Sequence, residues 1–302
     1  MKRLIKHAMQ KSRIPVLNTI LVKDGIAYAN DIDNEISYPV NQENGLYQAA
    51  GVKAGAWVKS DLNMADFPPM HMGEFIGQVY VNKSDFDFIA LAMSTAETRY
   101  YLNGVLFNKN GLVATDGHRM NIAEFDTGFN HEHIILPRLA VGIIQDCMKE
   151  EKINDIAVFF ARDRFYVTVG KYEIKGKLID GSFPDYTRVT GGIKKNVKID
   201  TFIYDDIASH AKEIKALHKA NGGRYGAKVK FQGKTMTNIA GEYSKSWPIG
   251  FSFGDEIMGF NYDYMLDVIL DGAEIYIDDK RARSPVKFVK GNQTSILMPL
   301  RV

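Results

Sequence analysis

Residues 78–93 read QVYVNKSDFDFIALAM, which is typical of a short strand followed by a polar cap and an amphipathic helix. Residues 196–211, NVKIDTFIYDDIASHA, repeat this order 118 residues later. Two further segments pass from a strand into a helix, IILPRLAVGIIQDCM (134–148) and IMGFNYDYMLDVIL (257–270). These matching passages predict a structural unit that is repeated along the chain.

A second landmark, a hydrophobic residue followed by proline, has nearly the same period. It occurs at Phe67-Pro68 in ADFPPM, at Phe183-Pro184 in GSFPDY and at Met298-Pro299 in LMPLRV, with spacings of 116 and 115 residues. We therefore predict three domains, 1–72, 73–190 and 191–302. The first is shortened, because a full unit needs some 40 more residues.

The predicted elements favour the α+β class. Hairpin turns such as Asp116-Gly117 and Asp180-Gly181 separate short alternating strands. Strands outnumber helices, which favours antiparallel sheets with helices packed on one face over a doubly wound parallel sheet. Apolar spacing of three and four predicts helices near 2–12, 84–95, 138–149, 204–220 and 262–270.

The composition is that of a globular protein, with 45% hydrophobic and 25% charged residues among 302. No apolar run is long enough for a transmembrane helix, and the basic N-terminus lacks the apolar core of a signal peptide. The single cysteine, Cys147, excludes an intramolecular disulfide and is expected in the core. These features predict a cytoplasmic protein.

The net charge of +2 is too small to indicate a strongly basic nucleic-acid binder, but the charges are unevenly distributed. Residues 190–234 hold ten Lys or Arg against four Asp or Glu, and residues 2–13 hold five basic residues and no acidic one. Residues 61–97 carry six carboxylates and one lysine. Such asymmetry suggests one basic face suited to a polyanion, although surface helices often show it by chance.

Few residues point to an enzyme. Asp31, Asp33 and Glu35 alternate, so a strand would place the three carboxylates on one face, where they could hold a divalent metal. A solvated strand face is the favoured interpretation, and a metal-dependent enzyme of nucleic acid is kept as the alternative. His131 and His133 share a face without a nearby third ligand. We predict no metal and no cofactor.

The most informative block is RYYLNG (99–104) followed by VATDGHRM (113–120). Two strand segments, the second turning at Asp116-Gly117, would bring two arginines, two tyrosines and a histidine together. A half-exposed sheet edge accounts for this composition. Tyrosines beside arginines also suit stacking and phosphate contact with single-stranded or junction DNA.

With RYYLNGVLF, VATDGHRM, IILPR, KLIDGSFPDYTRV, FNYDYMLDVIL and ILMPLRV in this order, the sequence resembles the bacterial β sliding clamp family, the processivity subunit of DNA polymerase III. The resemblance covers residues 76–302 well and residues 2–70 weakly, through RIPVLNTILV and MADFPP. The short first domain looks more like that of a phage- or plasmid-encoded clamp.

The resemblance implies tandem clamp domains, with antiparallel sheets outside and helices lining a ring. It implies a head-to-tail homodimer that encircles duplex DNA without sequence preference and performs no chemistry. Replicative polymerase and clamp loader would bind through short linear motifs. The alternative is a clamp-like decoy that binds host replication proteins without encircling DNA.

Two sets of candidate site residues follow, some carried over from the family by the resemblance and others added from the basic residues of this chain. The DNA-binding set is Arg3, Lys6, Lys11, Arg13, Arg99, Tyr100, Tyr101, Arg138, Lys212, Lys215 and Lys219. The set for the peptide-binding cleft is Leu102, Thr115, Gly117, His118, Arg119, Met120, Asn261, Tyr264, Met298, Pro299, Leu300 and Arg301. The linker 189–194 lacks the proline-bearing pattern that borders the family cleft, so partner preference is expected to differ.

Overall fold

In the computed structural model, short helices alternate with antiparallel strands, which confirms the α+β class. The structure describes residues 1–9, 12–131, 134–190, 197–199, 203–223, 226–239, 244–250, 252, 256–269, 272–277 and 284–301, with the backbone alone at 197–199 and 203. The helices are α1 Lys2–Ala8, α2 Ala49–Lys53, α3 Lys83–Ala90, α4 Arg138–Glu151, α5 Thr187–Thr190, α6 Ile203–Ser209, α7 Ala211–Ala220 and α8 Tyr262–Val268.

The strands are mostly four to eight residues long, and three short 3-10 helices, Pro15–Asn18, Met64–Asp66 and Glu97–Leu102, lie between them. In chain order the strands are β1 Thr19–Lys23, β2 Ile26–Asn30, β3 Asn34–Pro39, β4 Gly45–Gln48, β5 Phe75–Asn82, β6 Gly104–Asn108, β7 Gly111–Thr115, β8 Arg119–Glu124, β9 Ile134–Pro137, β10 Asp155–Ala161, β11 Arg164–Val169, β12 Tyr172–Lys177, β13 Val197–Ile199, β14 Lys228–Gln232, β15 Thr235–Asn238, β16 Lys245–Pro248, β17 Met258–Asn261, β18 Glu274–Ile277, β19 Val286–Lys290 and β20 Gln293–Leu297.

The chain divides into two units. Unit 1 comprises residues 1–90, 103–109 and 126–182, and unit 2 comprises residues 91–102, 110–125 and 183–302.

Unit 1 is built on an eight-stranded antiparallel sheet in the order β4-β1-β2-β3-β12-β11-β10-β5. Its first four strands precede residue 49, and they join the other four where Ile36 of β3 lies opposite Ile174 of β12. Helices α1, α3 and α4 pack on one face, here called the inner face. Alternate residues such as Val79, Val158 and Val167 are fully buried on that face, as the period of two requires.

The opposite, outer face of this sheet is partly covered by residues 67–70, here called the strap. Phe67 is 5% exposed and belongs to a cluster with Val16, Leu17 and Leu46. The side-chain amide of Asn30 donates to the Pro68 carbonyl at 2.9 Å, and the Met70 N–H donates to the Glu35 carboxylate at 3.2 Å. The strap therefore fills the outer face over β1 to β4 and leaves the β5 end to other contacts.

Unit 2 contains six strands in the order β13-β18-β19-β20-β8-β7 and a four-stranded sheet in the order β16-β15-β14-β17. Its core combines residues of these strands with residues of α6, α7 and α8, and Phe231, Phe260 and Met265 are completely buried in it. The Tyr262 hydroxyl at the start of α8 donates to the Ile207 carbonyl of α6 at 2.5 Å. This buried bond fixes α8 against α6.

All four predicted strand-to-helix passages are present, at β5–α3, β9–α4, β13 before α6, and β17–α8. The helix predicted over 204–220 is instead two helices that meet at His210. The helix predicted over 2–12 ends at Ala8, and residues 10–11 lie outside the described residues. Beyond the gap, the Asn18 side chain bonds the backbone of Ser12 in both directions and so competes with helical bonding.

Two further expectations were wrong. The helix predicted over 84–95 ends at Ala90, and Ser94 N–H then donates to the Leu102 carbonyl at 3.1 Å. Residues 99–102, expected as a strand, form the end of the 3-10 helix Glu97–Leu102, with a kink at Arg99. The Arg99 N–H donates to the Ala96 carbonyl, which is the short-range bond of a 3-10 turn.

Candidate functional site

Unit 2 contains a cavity of about 260 Å³ beside the β7–β8 hairpin. The 3-10 helix Glu97–Leu102, the segment 183–189 and the end of β20 form its other walls. Its lining residues are Arg99, Tyr101, Leu102, Thr115, Gly117, Arg119, Met120, Phe183, Pro184, Asp185, Tyr186, Val189, Ile296 and Met298.

The β7–β8 turn holds one wall of the cavity in a defined shape. The Thr115 hydroxyl donates to the Arg119 carbonyl at 2.7 Å and accepts from the Gly117 N–H at 3.0 Å. The Asp116 carboxylate accepts from the N–H groups of His118 and Arg119 at 2.8 and 3.1 Å. Gly117 has a φ of +90°, which glycine adopts readily and other residues rarely adopt. The sequence TDG thus specifies this turn through its own side chains.

Arg119 is the most constrained charged residue of the site. Its Nε lies 3.2 Å from the Asp116 carboxylate, its Nη1 bonds the Asp267 carboxylate, and its side chain is only 11% exposed. The guanidinium carbon lies 4.3 Å from the ring centre of Tyr264, which is a cation–π contact. Burial raises the pKa of the Tyr264 hydroxyl, and the Asp116 charge adds to that effect. Arg119 is therefore a fixed part of the wall whose charge is already balanced.

The floor of the cavity is apolar. Leu102, Met120, Phe183 and Ile296 are 1–6% exposed, while Met298 at its edge is 38% exposed. Burying a ligand's apolar side chain here would contribute about 25 cal/mol for each Å² removed from water. Two methionines among these residues allow the floor to repack around ligands of different shape.

The rim of the cavity is polar. The Asp185 carboxylate accepts from both the N–H and the hydroxyl of Thr187, at 3.1 and 2.5 Å, and lies 3.2 Å from Arg188 Nε. The hydrogen bond from the Thr187 hydroxyl is the main reason why the pKa of the Asp185 carboxyl is lowered. Arg99 supplies a cationic group to the same lining, and Tyr101 supplies an aromatic ring. An apolar floor with opposite charges at its rim suits a short peptide segment.

Six residues of the predicted cleft line this cavity: Leu102, Thr115, Gly117, Arg119, Met120 and Met298. The other six lie outside the lining. The exposed His118 ring lies 6.0 Å from the ring of Tyr264, and Tyr264 in turn contacts the Arg119 guanidinium. Asn261 caps α8 by accepting from the N–H groups of Asp263 and Tyr264. Pro299 and Arg301 flank Leu300 in the chain, and the Leu300 N–H donates to the Gly259 carbonyl.

Several lining residues were missed as site residues or were assigned a different role. Phe183, Pro184 and Tyr186 belong to GSFPDY, which was identified as a repeat landmark and as part of the family resemblance but not as a site. Arg99 and Tyr101 were predicted to contact DNA, and their side chains line the cavity. The presence of KLIDGSFPDYTRV among the motifs shared with the family was the available signal.

The predicted DNA-binding residues fall into several environments. Lys212, Lys215 and Lys219 are all exposed at helical spacing on α7, and Lys215 lies 3.7 Å from Asp263. Tyr100 is 54% exposed. Lys6, Arg13 and Arg138 are exposed on unit 1, and Lys11 lies outside the described residues. Arg3 requires a correction: its side chain is 6% exposed, with Nε 3.2 Å from Asp146, because its position on α1 faces α4.

The three alternating carboxylates do not share a strand face. Asp31 and Asp33 lie in the turn before β3, where the Asp31 carboxylate accepts from the N–H groups of Asp33 and Asn34. Glu35 is 5% exposed and lies 3.5 Å from Lys175. Among the described residues, no group of three His, Cys, Asp or Glu side chains could hold a metal ion.

Other expectations concern single residues. Cys147 is completely buried on α4, and desolvation raises the pKa of its thiol to about 12, which leaves it in the unreactive thiol form. His131 is exposed and His133 lies outside the described residues. No helix within the described ranges is both long enough and apolar enough to span a membrane.

Comparison with known proteins gives consistent results. The family model "DNA polymerase III beta subunit, central domain" matches residues 81–185. The beta sliding clamp of Caulobacter vibrioides is 30% identical over 266 residues, which are 80% of this chain and 70% of the relative. That of Pseudomonas aeruginosa is 26% identical over 276 residues, which are 83% and 73% of the two chains. A crystal structure of the Bartonella birtlesii clamp bound to griselimycin has the same fold, with a TM-score of 0.80, 23% identity and coverage of 100% and 96%.

Proposed function

Because this chain belongs to the β sliding clamp family and is thus a DNA polymerase processivity factor, we propose a function for each of its surfaces. The cavity of unit 2 binds short linear segments of the replicative polymerase and the clamp loader. The protein closes around duplex DNA as a homodimer and carries out no reaction of its own. It increases polymerase processivity by holding the enzyme at high effective concentration near the primer end.

The cavity supports the peptide-binding part of this proposal and is the observation that carries it. Its buried floor offers apolar contact to a bulky side chain, while the fixed turn of residues 115–119 presents a preformed wall. A wall that is already ordered costs little conformational entropy when a peptide binds. The partners are therefore expected to carry an apolar anchor within an otherwise flexible segment.

The exposed basic side chains support contact with DNA. A loose, sequence-independent contact needs cations that reach phosphates without reading bases, and Lys212, Lys215 and Lys219 meet this requirement on one helix. Lys6, Arg13, Arg138 and Tyr100 are the further exposed candidates. With a net charge of only +2, encirclement rather than affinity must retain the protein on DNA.

We also propose three clamp domains at 1–72, 73–190 and 191–302, with a weak head-to-tail dimer contact. Beside β4, the Val58 carbonyl accepts from Gln48 N–H at 2.9 Å, so residues 57–60 form the outermost strand-like segment of the sheet. Val58, Leu62 and Met64 near this edge are 38–46% exposed. This edge of the shortened first domain would meet the C-terminal domain of the second copy.

Encirclement can be tested without a loader. The protein is diluted until its dimers dissociate, mixed with nicked circular plasmid, concentrated and passed through a sizing column in 0.5 M NaCl. We expect it to elute with the circle and to be released when one restriction cut linearises the DNA. Sedimentation over a concentration series tests the dimer separately. Equal retention on linear and circular DNA, or a monomer at every concentration, would support the decoy function instead.

The cavity can be tested with griselimycin, since a related clamp has been crystallised with it. We expect griselimycin to bind this chain in calorimetry and Met120→Glu to weaken binding by at least 100-fold. Met9→Glu, which alters a methionine that is also 38% exposed, just after α1 of unit 1, is the matched control and should bind normally. Equal affinity of the Met120 variant and the wild type would place the binding site elsewhere.

A further inference from the structure

Unit 1 carries four neighbouring aromatic side chains on the outer face of its sheet, here called the aromatic patch: Phe75, Tyr80, Phe159 and Tyr166. The ring centres of Phe75 and Phe159 lie 6.1 Å apart, and those of Phe159 and Tyr166 lie 5.9 Å apart. Tyr80 is 70% exposed and Phe75 is 60% exposed, the two highest values among large hydrophobic side chains of the described residues. Phe75, Phe159 and Tyr166 therefore form a continuous row of rings, and Tyr80 lies on the same face, two residues from the Gln78 that pairs with Phe159.

The register of the strands shows that this surface lies opposite the helices. Phe159 pairs with Tyr166 on one side and Gln78 on the other, and these residues alternate with buried neighbours on the inner face. The patch occupies β5, β10 and β11, while the strap covers the same outer face over β1 to β4. The strap continues through residues 71–74 into β5, where Phe75 begins the patch. The patch is thus continuous with a surface that already binds an extended segment.

The strap shows what this sheet face binds. Phe67 and Met70 are buried, with exposures of 5% and 7%, while Pro68 and Pro69 between them are more exposed. Anchors three residues apart point the same way in a polyproline II helix, which has three residues per turn. The φ of Phe67, −75°, equals that of polyproline II, and its ψ of 116° is extended, as the following proline requires. A proline-containing segment with apolar residues at i and i+3 is therefore a ligand that this face already accommodates.

The polar groups around the patch fit the same ligand. The Tyr80 hydroxyl accepts from the Gln78 side chain at 2.9 Å, which leaves its own proton available to a peptide carbonyl. Proline-rich segments offer carbonyl acceptors and few N–H donors. The cations beside the patch, Arg164 and Lys175, lie 3.7 and 3.5 Å from the carboxylates of Asp163 and Glu35, so their charges are balanced and do not favour a polyanion.

We propose that the aromatic patch binds a proline-rich, extended segment of a partner protein, with apolar side chains three residues apart resting along the row of Phe75, Phe159 and Tyr166. Aromatic surfaces recognise such segments because the polyproline II helix is already extended and loses little entropy on binding. This surface is separate from the cavity and does not depend on the function proposed for it. It would give the protein a second class of partner.

The test uses the full chain and a fluorescein-labelled peptide, PPLPPLPPL, in fluorescence anisotropy. We expect saturable binding that the double variant Phe75→Ser, Tyr80→Ser weakens at least tenfold. Tyr80→Phe should weaken it about fivefold, since one hydrogen bond of about 1 kcal/mol is lost. The matched control Leu91→Ser, Leu139→Ser removes two side chains that are 45% and 46% exposed elsewhere and should bind as the wild type does.

Three outcomes would overturn the proposal. The first is the absence of saturable binding up to 1 mM peptide, since a Kd of 1 mM corresponds to a binding free energy of only about −4 kcal/mol. The second is equal binding of PPSPPSPPS, which lacks the apolar anchors. The third is tight binding of a dodecameric thymidine oligonucleotide that the same double variant abolishes, which would assign the patch to single-stranded nucleic acid. Circular dichroism melts of every variant establish that each one folds.

Discussion

Gly117 lies directly against Arg99: a methyl group on the Gly117 Cα would sit 2.4 Å from the Nη1 of Arg99. Gly117→Ala must therefore displace the guanidinium from the cavity wall, and its φ of +90° adds about 1–2 kcal/mol of backbone strain. We expect the free energy of unfolding to fall by that amount and the affinity for griselimycin to fall about tenfold. Urea unfolding and calorimetry measure the two effects.

Gly233→Ala separates the effect of backbone strain from the effect of displacing the Arg99 guanidinium. Gly233 lies in the β14–β15 turn of the same unit with a φ of +53°, and a methyl group there would meet nothing within 4 Å. This variant should lose stability similarly and keep its affinity. A loss of affinity in both variants would mean that strain in unit 2, rather than the position of Arg99, controls binding.

Arg119 should matter more for stability than for attraction of a ligand. Arg119→Ala removes the guanidinium that pairs with the Asp116 and Asp267 carboxylates, although Asp116 keeps its two backbone donors, and it should lower the free energy of unfolding by about 2 kcal/mol. Tyr264→Leu should cost about 1 kcal/mol because it removes the cation–π contact, whereas Tyr264→Phe keeps the ring face. Urea unfolding of the three variants checks this order, and equal losses from Leu and Phe would contradict it.

Replacing Lys212, Lys215 and Lys219 with glutamate should weaken binding of a linear 40-base-pair duplex. Each phosphate contact that is lost should reduce the slope of log affinity against log salt by about 0.9. Anisotropy in 50–200 mM NaCl measures this slope. A variant with glutamate at the exposed Lys228, Lys234 and Lys290 has the same net charge and is the control. Identical slopes for the two variants would show that only net charge matters.

His7 should make stability depend on pH. It is 1% exposed on the buried face of α1, where burial lowers the pKa of its ring although the Asp31 carboxylate, 3.5 Å away, raises it in part. The unfolded chain takes up a proton near pH 6.5 and the native chain resists it, so this contribution is complete above pH 6.5 and is lost as the pH falls. The free energy of unfolding should decrease from pH 7.5 to 5.5.

His7→Gln identifies the source of that decrease. Glutamine retains a donor for the Asn34 carbonyl, which lies 3.3 Å from His7 Nε2, but does not titrate. The wild-type curve should therefore fall more steeply than the variant curve between pH 7.5 and 5.5. Parallel curves would assign the effect to other ionisable groups.

The sequence predicted the strand-to-helix passages because their signals are local. Asn261 caps α8 within three residues of itself, and the TDG turn is bonded by Thr115 and Asp116. The residues of RYYLNG have strand propensity, yet the bond from Ser94 to the Leu102 carbonyl and the Ala96–Arg99 turn place them in a 3-10 helix. Propensity was overridden there by contacts within ten residues.

The errors at the candidate sites come from contacts that are distant in sequence. Arg3 has the composition of a surface residue on a basic helix, and only the approach of Asp146 on α4 buries it. Phe183 and Ile296 belong to the same cavity wall as Leu102, although nothing in the spacing of their motifs brings them together. Composition identified the right segments, and tertiary packing decided which side chains meet.

The pairing of β3 with β12 has a consequence for synthesis of the chain. Ile36 finds its partner Ile174 only after most of the central segment has left the ribosome, so the hydrogen-bonding edge of β3 stays open until then. Closing so long a loop is entropically costly before the pairing compensates, and this favours slow, late consolidation of unit 1. Expression of the first 72 residues alone would leave β3 with a permanently unpaired edge, which is prone to aggregation. A nascent chain of this protein should therefore need protection by chaperones for longer than one whose strands pair in order.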